Sequence, residues 1–384
     1  MTVRNLMLLF VPVALAAEVF HLGPMVVFIT AGLGIIPLAA ILGEATEQIA
    51  SRVGPGLGGF LNATFGNATE LIIGLVAIST ASGLVTQAAA PPAGKTAAEL
   101  LQSADELIEV VKASLTGSII GNLLFILGLA MLVGGFNREK QVFSSRVVSV
   151  GNAMMTLAVA GLMIPSVIYW LDHLSKGAPH ISESTFVDLS DHVAVVLLLI
   201  YGLSLLFSFK THKHLYRSPE DEDHAPAHVE EAWSTKKAMT VLIVSTSVIA
   251  VLSEFLVGSI EAAGKSMGLN PIFMGLVVVA MVGNAAEHAS AVLIARKDKM
   301  DLAINIAMGS SMQVALLLAP VMVLLSNLGA KQMTLVFTPL EVAAVGISTA
   351  ITTIVNLDGE SNWLEGAQLL SVYVILALAF FHAF

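Results

Sequence analysis

Apolar runs of about twenty residues recur along this chain from end to end, and they constrain its fold more than any other feature. A bilayer's hydrocarbon core is roughly 30 Å thick, and about 20 residues of helix cross it. Inside that core a helix satisfies its own backbone hydrogen bonds, which an open strand or loop does not. Hydropathy and punctuation predict an all-α integral membrane protein with eleven transmembrane helices, near 4–21, 24–51, 57–83, 105–134, 144–171, 190–209, 236–263, 268–295, 299–326, 334–356 and 365–383. The breaks are turn-like or charged: His21 to Pro24, Arg52 to Pro55, Ala90 to Pro92, Asn137 to Lys140, Asp172 to Glu183. Only 12% of residues are charged, against about 25% in a soluble domain, which excludes a globular enzyme. With no cysteine, a disulfide framework or thiolate metal site is excluded too. The first apolar run lacks a small-residue cleavage site leading into a soluble domain and reads as a membrane helix, not a signal peptide. A net charge of −10 offers nothing to nucleic acid.

Cytoplasmic loops retain Lys and Arg. With the N-terminus inside, thirteen basic residues fall on inner segments and five on outer ones, so the N-terminus is expected in the cytoplasm and, after eleven crossings, the C-terminus outside. Residues 1–22 form a first helix, 23–209 and 236–384 two five-helix blocks, and 210–235 a cytoplasmic linker. That linker holds the run Glu220 to Asp223 and His212, His214, His224 and His228, a composition open to metal binding, to pH sensing or to plain solvation.

The two blocks resemble each other. Gly66-Asn67-Ala68-Thr69-Glu70 in span three is matched by Gly283-Asn284-Ala285-Ala286-Glu287 in span eight, and Gly117-Ser118 in span four by Gly309-Ser310 in span nine. Glu44 and Glu261 precede their motifs by the same interval. Spans three and eight are five crossings apart, so the chain traverses the membrane in opposite directions at the two motifs. That is the inverted-repeat pattern of secondary transporters, which places a site near the midplane.

A carboxylate within an apolar span costs several kcal/mol unless compensated, and such residues are usually functional. Asn67 and Asn284 lie three residues before Glu70 and Glu287, on the same helix face. Two carboxylates with amide and backbone oxygens make a hard, all-oxygen site of the kind Ca²⁺ takes. The alternative is that each Glu bonds a polar neighbour to hold helices together. Carboxylates about 6 Å apart at an effective dielectric of 20 repel by roughly 3 kcal/mol, relieved by a divalent cation or by protons. Such a pair exchanges one for the other and does not cross empty.

A second polar layer, Ser118 and Asn122 with Ser310 and Gln313, could complete the ion shell or pack helices closely. Glu44, Glu254 and Glu261 are candidates for ion entry, as is Glu47, though solvated helix ends serve equally for that residue. His288 points about 100° away from Glu287. It is read as a helix-bonding residue or a proton shuttle.

GNATE and GNAAEH, with GSIIGN, GSSMQ and SEFLVGSIE, resemble the cation/proton exchanger branch of the Ca²⁺/cation antiporter superfamily over nearly the whole chain. The resemblance implies Ca²⁺ as transported substrate and H⁺ as coupling ion, with Glu70 and Glu287 central and Asn67, Asn284, Ser118, Ser310 and Gln313 in support. It implies a transporter, not an enzyme, and a Na⁺/Ca²⁺ exchanger on the same scaffold as the nearest alternative. An intramembrane enzyme is disfavoured, since no nucleophile–base constellation or His-x-x-x-His motif is present. The lack of a long N-terminal extension suits a prokaryotic plasma membrane. The oligomeric state is left open.

Overall fold

The computed structural model describes residues 3–53, 55–175, 180–212 and 233–383. It is almost wholly helical. Helices α1 (Val3–Met7), α2 (Phe10–Val19), α3 (Pro24–Val53), α4 (Pro55–Gly66) and α5 (Ala68–Ala88) lead into α6 (Ala97–Ile120), which runs through a π-helical turn (Gly121–Ile126) into α7 (Leu127–Gly135). Strand β1 (Gln141–Val142), α8 (Ser145–Leu174) and α9 (Glu183–Leu206) follow, and α9 runs into a second π turn (Phe207–Thr211). After the linker come α10 (Thr235–Met267), α11 (Pro271–Phe273), a third π turn (Met274–Val279), α12 (Ala280–Arg296) and α13 (Met300–Gln313). A fourth π turn (Val314–Leu318), α14 (Ala319–Ser326), α15 (Pro339–Val355), β2 (Glu360–Ser361) and α16 (Trp363–Ala383) complete the described chain. Of the linker, the acidic run and His214, His224 and His228 lie outside the described residues.

Among the described residues nine helices are long and apolar enough to cross a membrane, so the chain is a multi-pass membrane protein. Two expected spans fall short of that length: the first is divided into α1 and α2, and α15 has 17 residues. The helix start expected at 105 lies at Ala97, because Thr96 and Glu99 form a reciprocal capping box. An equivalent box of Thr338 and Glu341 starts α15. Each satisfies N–H groups that a helix otherwise leaves orphaned, for about 1 kcal/mol. Both Thr-x-x-Glu signals stood in the sequence. The antiparallel pair β1–β2 was not expected from it.

The spans through α6–α7 and α13–α14 are among the most buried, and α9 is the most peripheral. Against α6 the π turn at Met274–Val279 approaches backbone to backbone: a Cβ at Gly117 would collide with the Leu276 main chain, and one at Gly275 with the Val110 carbonyl. Small residues permit this contact where lipid supplies no hydrophobic drive between helices.

Loop contacts sort into two faces. On one, Arg4 pairs with Glu44 at 2.6 Å, Arg138 with Asp298 at 3.5 Å and Lys140 with Glu360 at 2.6 Å. Gln141 also donates to Asp298 (2.7 Å), and the Ser144 N–H to Asp301 (2.6 Å). On the other face Ser103 donates to Glu261 (3.0 Å), Asn327 to Asp191 (2.8 Å) and Lys331 to Asp105. Exposed pairs like these contribute about 0–1 kcal/mol each.

Candidate functional site

The chain leaves helical geometry at Asn67 (φ −99°, ψ 19°), between α4 and α5. That single break frees the Asn67 side chain, and Glu70 sits one turn later, buried in the first turn of α5. On α12 the matching motif stays helical, but a π turn ends just before it, at Val279. Three segments of the described chain besides the one after α9 therefore carry wide turns near polar motifs: after Gly117-Ser118, before Gly283-Asn284, and after Gly309-Ser310. Such turns recur at functional sites.

The two motifs meet at their glycines. A Cβ at Gly283 would lie 2.6 Å from Cγ of Glu70, and a Cβ at Gly66 would lie 3.3 Å from Oε1 of Glu287. Each glutamate thus occupies the space that the other motif's glycine leaves, and Glu287 acts electrostatically on Glu70.

Glu70 Oε1 accepts from Asn284 Nδ2 at 2.6 Å and from the Ser118 hydroxyl, while Asn284 also reaches Ser118 Oγ at 2.9 Å. Around Glu287 the bonds form a directed chain. His288 Nε2 donates to Asn122 Oδ1 (3.1 Å), and Asn122 Nδ2 to Ser310 Oγ (3.0 Å). Ser310 Oγ donates to Asn67 Oδ1 (3.1 Å), and Asn67 Nδ2 to Gln313 Oε1 (2.6 Å). Ser310 also lies within hydrogen-bonding reach of Glu287. Because Asn122 spends its amide nitrogen on Ser310, its oxygen must accept, which fixes the Nε2–H form of His288.

One oxygen of each carboxylate is left over. Glu70 Oε2 and Glu287 Oε2 are buried and have no hydrogen-bond partner. An unsatisfied buried carboxylate oxygen is costly in a protein interior. Here there are two of them, one from each motif.

Glu287 lies at a crevice and Glu70 does not. A crevice of about 510 Å³ runs from the face carrying Arg4 down to Glu287 and is lined by Glu44, Glu47, Asn62, Ser310 and Gln313 among others. Glu70 does not line it. Eight expected residues are therefore gathered in two linked clusters: Glu70, Ser118 and Asn284, then Glu287, Asn67, Asn122, Ser310 and Gln313. His288 joins the second through Asn122, with its ring edge-on to Phe125, and is held between helices. The entry candidates stand apart. Glu44 is at the crevice mouth, paired with Arg4. Glu261 is held by Lys265 (2.5 Å) on the opposite face, and Glu254 lines a separate hollow with Glu18 and His21. Sequence reasoning missed Asn62, Ser290 and Asn305, which line the crevice. Asn62 is one turn before Gly66 and Ser290 three residues after Glu287, a helical spacing that points to the same face. It also missed Glu341, which is fully buried and accepts from Thr116 at 3.0 Å.

Residues 23–210 and 237–382 match the family described as sodium/calcium exchanger protein. The chain is 43% identical to a Ca²⁺/H⁺ antiporter of Aphanothece halophytica, over 98% of this chain and 95% of that one. It is 37% identical to the Ca²⁺/H⁺ antiporter ChaA of Bacillus subtilis, over 97% of this chain and 96% of the relative. The solved structure of native YfkE superposes with a TM-score of 0.78 at 33% identity, covering 99% of each chain. That of the H⁺/Ca²⁺ exchanger CAX gives 0.68 at 12% identity over 98% and 91%, a likeness of fold.

Proposed function

The chain belongs to the sodium/calcium exchanger protein family, in its cation/proton-exchanging branch of Ca²⁺/H⁺ antiporters, and from that premise we propose that it exchanges Ca²⁺ for H⁺ at Glu70 and Glu287. The observation that carries this reading is the pair of unpartnered buried oxygens, Glu70 Oε2 and Glu287 Oε2, brought to the crossing of the two motifs. Ca²⁺ needs six to eight oxygens. Two carboxylates supply the charge balance, and the hydroxyls and amide oxygens of Ser118, Ser310, Asn67, Asn122 and Gln313 stand within the same network.

In the proposed cycle Ca²⁺ enters the crevice on the Arg4 face and displaces protons from the pair. The loaded site then closes on that face and opens on the other. Released Ca²⁺ is replaced by protons, which neutralise the carboxylates for the return. Empty, the two anions repel and remain desolvated, so the unloaded carrier does not cross and exchange stays coupled. The two glutamates titrate as a pair, without a private value for either.

The architecture in this reading is one N-terminal helix (1–22) and two inverted five-helix repeats (23–209 and 236–384) joined by a cytoplasmic linker (210–235), eleven crossings in all. It is supported by the loop contacts. With eleven crossings, every ion pair and hydrogen bond between loops joins segments on one side, and Arg4, Arg138, Lys140 and Arg296 fall together. The positive-inside rule makes that side cytoplasmic, with the C-terminus outside. Ca²⁺ then leaves a prokaryotic cell across its plasma membrane, driven by inward protons, and the crevice is the inward-open state. Reconstitution tests this: Ca²⁺ flux into proteoliposomes under an imposed pH gradient, set against an imposed Na⁺ gradient. Flux that follows pH supports the reading; flux that follows Na⁺ and ignores pH replaces it with Na⁺/Ca²⁺ exchange.

A further inference from the structure

A separate cavity, of about 730 Å³, opens on the Arg4 face, where the ends of α7 and α12 meet. Leu132, Val133 and Phe136 line it together with Asn137, Arg138 and Arg296. The first three belong to the last turn of α7 and its cap, while the polar three stand at or beyond the helix ends. The lining therefore grades from hydrocarbon toward water. Gly135 brings Trp363, the first residue of α16, against the end of α7: a Cβ there would lie 2.6 Å from the Trp363 main-chain nitrogen. Trp363 is 52% exposed and Phe136 69% exposed. Exposed aromatic side chains where apolar spans end mark the boundary between hydrocarbon and headgroups. The arginines stand at headgroup depth.

The two arginines are not alike. Arg138 Nη1 donates to the Gly134 carbonyl at 2.6 Å and Nη2 to the Arg296 carbonyl at 3.2 Å, with Asp298 3.5 Å from Nε. These contacts fix its guanidinium at the cavity and leave at least two of its five N–H groups unused. The Arg296 side chain has no hydrogen bond or ion pair among the described residues. On the same face Arg4 and Lys140 each hold a carboxylate at 2.6 Å. A planar guanidinium without a partner suits the oxygens of a phosphate, which it grips with two parallel bonds. A soluble phosphate ester would leave Leu132, Val133 and Phe136 uncovered, and a zwitterionic lipid would bring a cation of its own to the arginines. A lipid of net negative headgroup matches both parts of the lining.

We propose that this cavity binds an anionic glycerophospholipid, with its phosphate between Arg296 and Arg138 and one acyl chain along Leu132, Val133 and Phe136. Because α7 precedes the linker and α12 follows it, the lipid joins the two halves of the chain beside the contact of Arg138 with Arg296. The proposal concerns binding and does not rest on the exchange function.

The test titrates the full chain, purified in detergent and stripped of lipid, with dioleoyl phosphatidylglycerol and reads the first bound lipid by native mass spectrometry. Arg296→Gln removes the charge of a side chain that no protein group holds, so the size-exclusion profile and the unfolding temperature in detergent are expected to match the parent. Its affinity for the first lipid is expected to fall about tenfold, the worth of one charge-assisted hydrogen bond. Lys297→Gln, one residue further on and outside the cavity lining, is expected to bind as the parent does. Dioleoyl phosphatidylcholine is expected to bind about tenfold more weakly than phosphatidylglycerol, and glycerol phosphate to displace neither. Equal affinity of Arg296→Gln and the parent, an equal loss in Lys297→Gln, or phosphatidylcholine bound as tightly as phosphatidylglycerol overturns the proposal. Displacement by glycerol phosphate overturns the lipid assignment and gives the arginines to soluble phosphate esters. No ion flux enters the readout, so failure here and failure of the exchange reading are separate results.

Discussion

Glutamine is the sharpest probe of either glutamate, because it keeps the shape of the protonated side chain and removes the ability to carry charge. In Glu70→Gln the amide oxygen still accepts from Ser118 and Asn284, while the position of the unpartnered Oε2 becomes a neutral NH₂. Ca²⁺ flux in proteoliposomes is expected to fall on the order of 100-fold for Glu70→Gln and for Glu287→Gln, equivalent to about 2.7 kcal/mol of lost ion stabilisation. Thermal stability is expected to hold or rise, since a buried charge is a burden on the fold. Retained exchange in either variant sinks the site assignment. At this scale the sequence was highly legible where a signal is local. The duplicated three-residue spacing marked Asn67, Glu70, Asn284 and Glu287 as a set, but not their pairing: Asn284 donates to Glu70, and Asn67 bonds Ser310 and Gln313 in the cluster around Glu287. Partner choice was illegible. That Arg4 takes Glu44 and Asn122 takes His288 depends on helices brought together by the fold, and no spacing along the chain encodes it, whereas Glu261 and Lys265 pair at i,i+4 on one helix.

Among the elements, α12 crosses the α4–α5 break at a close approach, and its two glycines are unequal. A Cβ at Gly283 would lie 2.6 Å from Glu70 Cγ, where neither motif can yield; at Gly66 the neighbour is the movable end of Glu287 at 3.3 Å. Gly283→Ala is therefore expected to cost about 1–3 kcal/mol in stability, read as a lowered unfolding temperature, and to reduce flux more than Gly66→Ala does. Equal or reversed effects contradict the packing described. Helix starts were partly legible: Thr96 to Glu99 and Thr338 to Glu341 are capping signals that hydropathy alone passes over. The π turns were not, because a widened turn arises from how neighbouring helices seat, and GNLLFI or MGLVVV carries no residue that demands one.

For the whole molecule, the cytoplasm-open reading makes a prediction about reach. The chain has no cysteine, so single cysteines report without background. Ser290→Cys and Asn305→Cys on the crevice wall are expected to react with a membrane-impermeant maleimide from the Arg4 side of the membrane, and Ca²⁺ is expected to slow that reaction. Thr69→Cys, at a position 2% exposed, is expected to stay unmodified from that side. Protection reversed between these positions shows the opposite face open. Acidifying the crevice side is expected to weaken Ca²⁺ competition, because both ions seek the same oxygens.

Nearly every bond around the two glutamates reaches from one side of the linker to the other: Asn284 to Glu70, Asn122 to Ser310, Asn67 to Gln313. In the proposed site, ownership of the ion is therefore shared from the start. Neither half carries a weaker version that the other improves, since each contributes one carboxylate and most of the surrounding bonds cross between the halves, with Ser118 beside Glu70 and Ser310 beside Glu287 as the companions from the same half. A chain interrupted before Thr235 holds no partial exchanger, only helices with acids they cannot settle.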